Sequence, residues 1–212
     1  MEIELYIERY RYTRYKFFKW RHELEFGYKF VLAFAFACLT GLLAQLRLYL
    51  PWTPVPVTGQ TLSVMLSAML LGRWGGVSQI IYIGVGAAGV PWFAGGAGGV
   101  FVLLGPTGGY LIGFILAAFF LGHLLDSRIK VRTFQKMLPL LLFANFVLIY
   151  IPGLIQLYVW LTLVKGTTVG LNHLLMMGLI PFVIGDLMKI FLATAIGHGI
   201  TPKSAYGNEV DR

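Results

Sequence analysis

Phe26-Gly-Tyr-Lys-Phe-Val-Leu-Ala-Phe-Ala-Phe-Ala-Cys-Leu-Thr-Gly-Leu-Leu-Ala-Gln-Leu-Arg-Leu-Tyr-Leu50 carries no charge between Lys29 and Arg47. About 20 apolar residues span a bilayer, so this run reads as a transmembrane helix. Pro51, Pro54 and Pro56 break it, and Pro51 to Gln60 forms a loop. A short second run, Thr61 to Leu71, stops at Gly72-Arg-Trp-Gly-Gly76, and a third extends from Val77 to Val90. A glycine-rich stretch, Pro91 to Gly105, precedes a fourth run from Pro106 to Leu125. After the polar segment Asp126 to Lys136, a fifth run extends from Met137 to Val164, with a kink expected at Pro152-Gly153. Beyond the loop Lys165 to Asn172, the last run is His173 to Ile200, where Pro181 starts or restarts the helix. The expected fold is an all-α membrane protein, a bundle of six transmembrane helices over residues 26–200. Residues 1–25 form an N-terminal extension and residues 201–212 a C-terminal tail.

Composition agrees. Hydrophobic residues make up 58% of the chain and charged residues 12%, against about 25% charged in soluble domains. Six spans put both termini on one side, and that side receives all the Lys and Arg except Arg47, Lys165 and Lys189. Positive-inside bias then makes the termini cytoplasmic and the Pro51–Gln60 and Pro91–Gly105 loops outward-facing, in the cell membrane. The mixed charged and aromatic preamble, Met1 to Glu25, does not read as a signal peptide. It reads as an interfacial helix on membrane lipid or as a docking arm for a cytoplasmic partner; nucleic acid is a poorer fit.

Several chemistries are disfavoured. Gly84-Val-Gly-Ala-Ala-Gly89 matches a dinucleotide fingerprint in letters, but it sits in an apolar span with no preceding strand. With no phosphate-binding G-x-x-x-x-G-K-[ST] loop, ATP-driven activity needs a partner. Cys38 is the only cysteine, and the histidines near span ends match no metal spacing. No cofactor or metal is expected, and no nucleophile elbow or zinc-protease motif supports catalysis.

Three features are informative. Ala33, Ala37 and Gly41 form a small-residue stripe, as do Gly105, Gly109, Gly113 and Ala117; each serves bundle packing or docking of another membrane protein. More than half of the 26 glycines lie between residues 72 and 113, and the loop holding them also carries Trp92, Phe93, Phe101 and Leu103. Such a loop is expected to fold and line a pocket. Finally, Asp186 is the only acidic residue within a span, with Lys189 one turn on. An intramembrane charge suggests a functional site, with a self-neutralising structural pair as the alternative. Asn145 and Tyr150 add polar groups at membrane depth.

These motifs in this order resemble the BioY family, the biotin-specific substrate-capture components (S-components) of energy-coupling factor transporters. The resemblance rests on Pro54-Val-Pro-Val-Thr-Gly-Gln60, Gly89-Val-Pro-Trp-Phe-Ala-Gly-Gly-Ala-Gly-Gly99, Leu104-Gly-Pro-Thr-Gly-Gly-Tyr-Leu-Ile-Gly-Phe114, Ala144-Asn145 with Ile149-Tyr150, and Gly185-Asp-Leu-Met-Lys189. It implies six helices, biotin captured between the first and third loops and helices four to six, and a membrane coupling subunit with two ATPase subunits. With it, Gln60, Trp92, Gly96, Gly98, Gly99, Thr107, Tyr110, Asn145, Tyr150, Asp186 and Lys189 are expected at the ligand; the family's docking stripe matches Ala33 and Ala37, which Gly41 continues toward the coupling subunit. Ala97 stands where some relatives carry a basic residue, which leaves open the group that holds the ligand carboxylate. The residues suit such a ligand: Asp186 accepts from a ureido N–H, Asn145 or Lys189 donates, and Trp92 and Tyr110 offer flat apolar faces. Capture of another small heterocycle, an intramembrane enzyme using Asp186 and a ligand-free scaffold are the rival readings.

Overall fold

The computed structural model describes residues 2–207, so Met1 and residues 208–212, the end of the expected tail, lie outside the described residues. Helix ends follow local chemistry. Helix α1 (Glu2–Glu23) has Glu2 and Glu4 in its first turn and Arg21 and His22 in its last, the polarity a helix dipole favours. Helix α2 (Phe26–Gln45) is the first apolar run. The chain then turns back as a small hairpin that the all-α expectation did not include: β1 (Arg47–Leu48) pairs antiparallel with β2 (Val57–Thr58). Helix α3 (Gln60–Leu71) ends at Gly72, whose φ of 62° lets its N–H close on the Ala68 carbonyl at 3.0 Å. A Cβ at Gly72 would overlap the Asp126 carboxylate.

Helix α4 (Trp74–Ala87) follows, and the glycine-rich loop contains a short α5 (Val100–Leu104). Helix α6 (Gly108–Ser127) is central, packing against α3, α4 and the later helix α8. Helices α7 (Phe134–Phe143) and α8 (Tyr150–Leu163) form one rod through a π-helical segment, Ala144–Ile149. The irregularity expected at Pro152-Gly153 therefore lies one turn earlier. Proline lacks an N–H and its ring crowds the carbonyl four residues before, here that of Leu148, so the strain is taken up there. Helix α9 (Leu171–Gly178) meets a 3-10 turn, Ile180–Phe182, which carries Pro181 and leads into α10 (Val183–Ile200).

Four stretches are long and apolar enough to cross a membrane: Phe26–Gln45, Gly108–Ser127, Phe134–Leu163 and Leu171–Ile200. The second and third expected spans are helices of only 12 and 14 residues. At 1.5 Å per residue they extend about 18 and 21 Å, short of a hydrocarbon core of about 30 Å. Helix α3 is almost wholly buried, including Gln60, Thr61, Ser63 and Ser67. Its surroundings are protein, not lipid, which is why its polar residues are tolerated.

The first small-residue stripe lies inside the bundle. Ala33 and Ala37 are 0% exposed, α2 packs against α3 and α4, and a Cβ on Gly41 would lie 3.1 Å from Trp92 Cβ. Ala33, Ala37 and Gly41 are thus closed to a docking partner in this structure; their small size serves the close approach of neighbouring elements. The Gly84–Gly89 fingerprint falls in α4 and the turn after it, where Gly86 makes room for the Phe93 ring.

A polar cluster closes the basic end of the bundle. Arg21 Nη2 lies 3.0 Å from Asp126 Oδ1, and Nη1 donates to the Leu70 carbonyl at 3.0 Å. Tyr206 Oη donates to Asp126 Oδ1 at 2.8 Å, and burial holds this phenol well above its usual range, so it stays a donor. Arg132, 1% exposed, donates to the Leu125 carbonyl at 2.7 Å and the Asp126 carbonyl at 2.9 Å, satisfying the end of α6. Its Nη1 also reaches the Pro202 and Ser204 carbonyls. The expected boundaries at residues 25 and 201 therefore cut through packed contacts. Arg21→Met is expected to lower stability by about 1–3 kcal/mol, because it removes a charged partner from a nearly buried carboxylate. Lys19→Met, which breaks an exposed pair with Glu23 at 3.8 Å, should change little. Thermal unfolding of the two detergent-purified variants compares them, and equal midpoints would refute the clamp.

Candidate binding cavity

At the opposite end, the hairpin, the glycine-rich loop and helices α3, α6, α8 and α10 enclose a cavity of about 400 Å³. Small-ligand sites typically measure roughly 300–1,000 Å³. The cavity is built from loops that prolines and glycines force back over the helix ends, and from the π-helical turn that re-aims one helix face.

One buried wall is polar. Asp186, 2% exposed, sits in the first turn of α10, where the helix dipole favours a carboxylate. Lys189 Nζ lies 2.5 Å from its Oδ1. Thr61 Oγ1 donates to the same oxygen at 3.4 Å. Asn145 Nδ2 donates to Oδ2 at 2.9 Å and Tyr150 Oη at 2.5 Å. Lys189 also donates to the Thr58 carbonyl at 2.9 Å, tying α10 to the hairpin. The carboxylate thus already holds four protein donors, and a ligand N–H would share or displace one. Asn145 Oδ1 is buried without a partner among the described residues.

A second network adjoins this wall through Thr58, whose carbonyl accepts from Lys189. Gln60 Nε2 donates to Tyr82 Oη at 2.8 Å, and Thr58 Oγ1 donates to Gln60 Oε1 at 2.8 Å. Trp92 Nε1 donates to the Tyr82 carbonyl at 2.9 Å, with the two rings 5.3 Å apart. Tyr110 Oη donates to the Gly178 carbonyl at 2.7 Å, linking α6 to α9.

Of the residues expected at the ligand, Gln60, Thr107, Tyr110, Tyr150, Asp186 and Lys189 line the cavity. Asn145 stands one layer behind, at 0% exposure. Trp92, Gly96, Gly98 and Gly99 do not line it. Trp92 packs on Tyr82, while Gly96 and Gly99 spend their N–H groups on Gln45 Oε1 and the Gly86 carbonyl. A Cβ on Gly98 would lie 2.7 Å from the Val90 carbonyl oxygen. These glycines fold the loop so that Phe93, Ala94 and Ala97 face the cavity. Sequence reasoning missed Tyr49, Thr61, Phe114 and Phe182. Thr61 was the findable one, a hydroxyl just past the Pro51–Gln60 loop at the head of an apolar helix.

A profile of the BioY family matches residues 20–205. The chain belongs to the BioY family. The BioY match spans every cavity residue, from Tyr49 to Lys189. A "Probable biotin transporter BioY" of Methanothermobacter thermautotrophicus is 56% identical over 147 residues, 69% of this chain and 94% of that protein. The "Biotin transporter BioY" of Thermotoga maritima is 37% identical over 149 residues, 69% of this chain and 81% of that protein. Among solved structures, the S-component for biotin from an ECF-type ABC transporter aligns with a TM-score of 0.71 at 23% identity. It covers 82% of this chain and 93% of its own, a likeness of fold.

Proposed function

We propose that this BioY-family chain captures biotin as the substrate-binding component of an energy-coupling factor importer. The observation that carries the reading is a cavity whose one charged wall, Asp186 with Lys189, is backed by Asn145 and Tyr150. A ureido ring offers two N–H donors and a carbonyl acceptor to such a wall, and the apolar remainder of the cavity suits fused rings and an alkyl chain. The relatives named as biotin transporters point to the same ligand. The activity is binding and transport, with no chemistry performed on the ligand. A membrane coupling subunit and two cytoplasmic ATPase subunits supply the energy.

The short helices α3 and α4 complete six crossings together with the four long stretches, and the bias of basic residues puts both termini in the cytoplasm. On α1, Arg9, Arg11, Lys16 and Lys19 lie exposed among Ile3, Tyr6 and Trp20. That mixture suits the anionic inner leaflet, with the last turns of α1 clamped to the bundle.

The test is mass spectrometry of small molecules released from protein purified without added ligand, followed by biotin titration. Biotin in the released fraction and saturable binding are expected. A different copurified heterocycle would overturn the choice of ligand, and no saturable ligand at all would overturn capture.

A further inference from the structure

We infer that Arg47 holds the ligand's free carboxylate at the rim of the cavity. The inference rests on the biotin reading and adds to it the group that recognises the charged tail.

The argument begins with charge. Among the cavity-lining residues only Asp186 and Lys189 are charged, and they neutralise each other at 2.5 Å. Lys189 spends a second donor on the Thr58 carbonyl. A carboxylate brought to that wall would leave two anions facing one cation in a dry site, which is costly. A ligand whose polar head meets this wall carries its tail toward the mouth, so the balancing cation belongs at the rim.

Arg47 stands there. It lies on β1, opposite Thr58, and Thr58 lines the cavity. Its guanidinium carbon is 5.5 Å from the ring centre of Tyr49, itself a lining residue. A Cβ built on Gly95 would lie 2.7 Å from Tyr49 Oη and 3.9 Å from Arg47 Cζ. Arg47 and Tyr49 therefore abut the loop that supplies Ala94 and Ala97 to the cavity.

The guanidinium is also positioned and unspent. Nη1 donates to Gln45 Oε1 at 3.1 Å, and the same oxygen accepts the Gly96 N–H at 3.1 Å, joining arginine and loop through one side chain. No carboxylate pairs with Arg47 among the described residues. Its remaining N–H groups form the planar fork that binds a carboxylate in bidentate fashion. The other basic residue on this side of the bundle, Lys165, stacks at 5.3 Å on the Trp160 ring beside a separate groove.

The experiment titrates biotin and biotinamide, its neutral carboxamide, into the full chain in detergent. It compares the unaltered protein with Arg47→Gln, Arg47→Lys and Lys165→Gln at low and moderate salt. The unaltered chain should prefer biotin. Arg47→Gln should weaken biotin about tenfold, as expected for loss of a charge-assisted pair, and leave biotinamide within about twofold. Arg47→Lys should recover part of the loss, salt should erode the preference, and Lys165→Gln should behave as the unaltered chain. Equal losses for both ligands would make Arg47 a prop of the loop and overturn the assignment, as would no loss for either. An effect confined to Lys165→Gln would move the carboxylate to that residue. Failure of the unaltered chain to bind biotin would overturn the biotin reading itself, and this assignment with it.

Discussion

Asp186→Asn is expected to weaken biotin binding by at least about tenfold, equivalent to about 1.4 kcal/mol, and to lower the thermal midpoint as well. The carboxylate accepts from Lys189, Thr61, Asn145 and Tyr150. An amide presents one oxygen and one NH₂, so whichever way it turns, donors face a donor on one side. Lys189 loses its counter-ion. Breaking a fully buried pair costs roughly 3–5 kcal/mol; the cost here is smaller, since the Lys189 side chain keeps 17% of its exposure. The residue acts chiefly by holding Asn145, Tyr150 and Lys189 in register, so ligand contact and wall architecture fail together. Adding Lys189→Met to Asp186→Asn should cost less than the sum of the single changes, because the two act as one unit. Biotin titration corrected for the folded fraction, alongside thermal unfolding, measures this. Normal affinity in folded Asp186→Asn protein would sink the assignment of this wall to the ligand.

A second large effect is expected at Gly109. There α6 approaches α8 so closely that a Cβ would overlap the Pro152 carbonyl oxygen and lie 2.7 Å from its carbon. One turn on, a Cβ on Gly113 would lie 2.5 Å from Ile149 Cα. The obstacles are backbone, which cannot rotate away as a side chain can. Ordinary overpacking costs about 1–3 kcal/mol, and pushing two central helices apart should exceed that. Gly109→Val is therefore expected to yield little monodisperse protein. Gly105→Ala, at the head of the same stripe, comes no closer than 3.3 Å to the Val102 carbonyl oxygen and 3.4 Å to that of Phe101, and should fold normally. Size-exclusion profiles and thermal midpoints of the two variants give the comparison; a well-folded Gly109→Val protein would refute the close crossing.

That contrast shows what the linear order carried and what it did not. The apolar runs, the proline breaks and the lone intramembrane acid were readable because each is a local property. The Asp186 site was therefore found from one residue type in the wrong solvent. Its partner Thr61 lies 125 positions away, and Arg21 meets Asp126 across 105 positions. No local pattern announces such pairings. Glycine density marked the correct loop but not the direction its residues face, so Gly96, Gly98 and Gly99 were expected in a wall that Phe93, Ala94 and Ala97 supply. Small residues likewise signal close approach without naming the neighbour, and the partner of the α2 stripe proved to be the chain itself. The short second and third runs were legible as well, since α3 and α4 have 12 and 14 residues, but not that α3 would be buried in protein along most of its length.

The π-helical segment Ala144–Ile149 has a consequence for how this chain can vary in length. A π turn is equivalent to one residue inserted in an α-helix, and here it sits between Asn145's own turn and Tyr150. Forcing the same residues into regular α-helix, with none removed, would swing everything beyond by about 100°. Tyr150 would leave Asp186, and Pro152 would leave Gly109. Substitutions that favour regular α-helix over the wide turn should therefore be purged between positions 144 and 149, while changes of length are better borne by the exposed connection at 165–170. The spacing between the asparagine and the tyrosine is a ruler that descent in this lineage is not free to redraw.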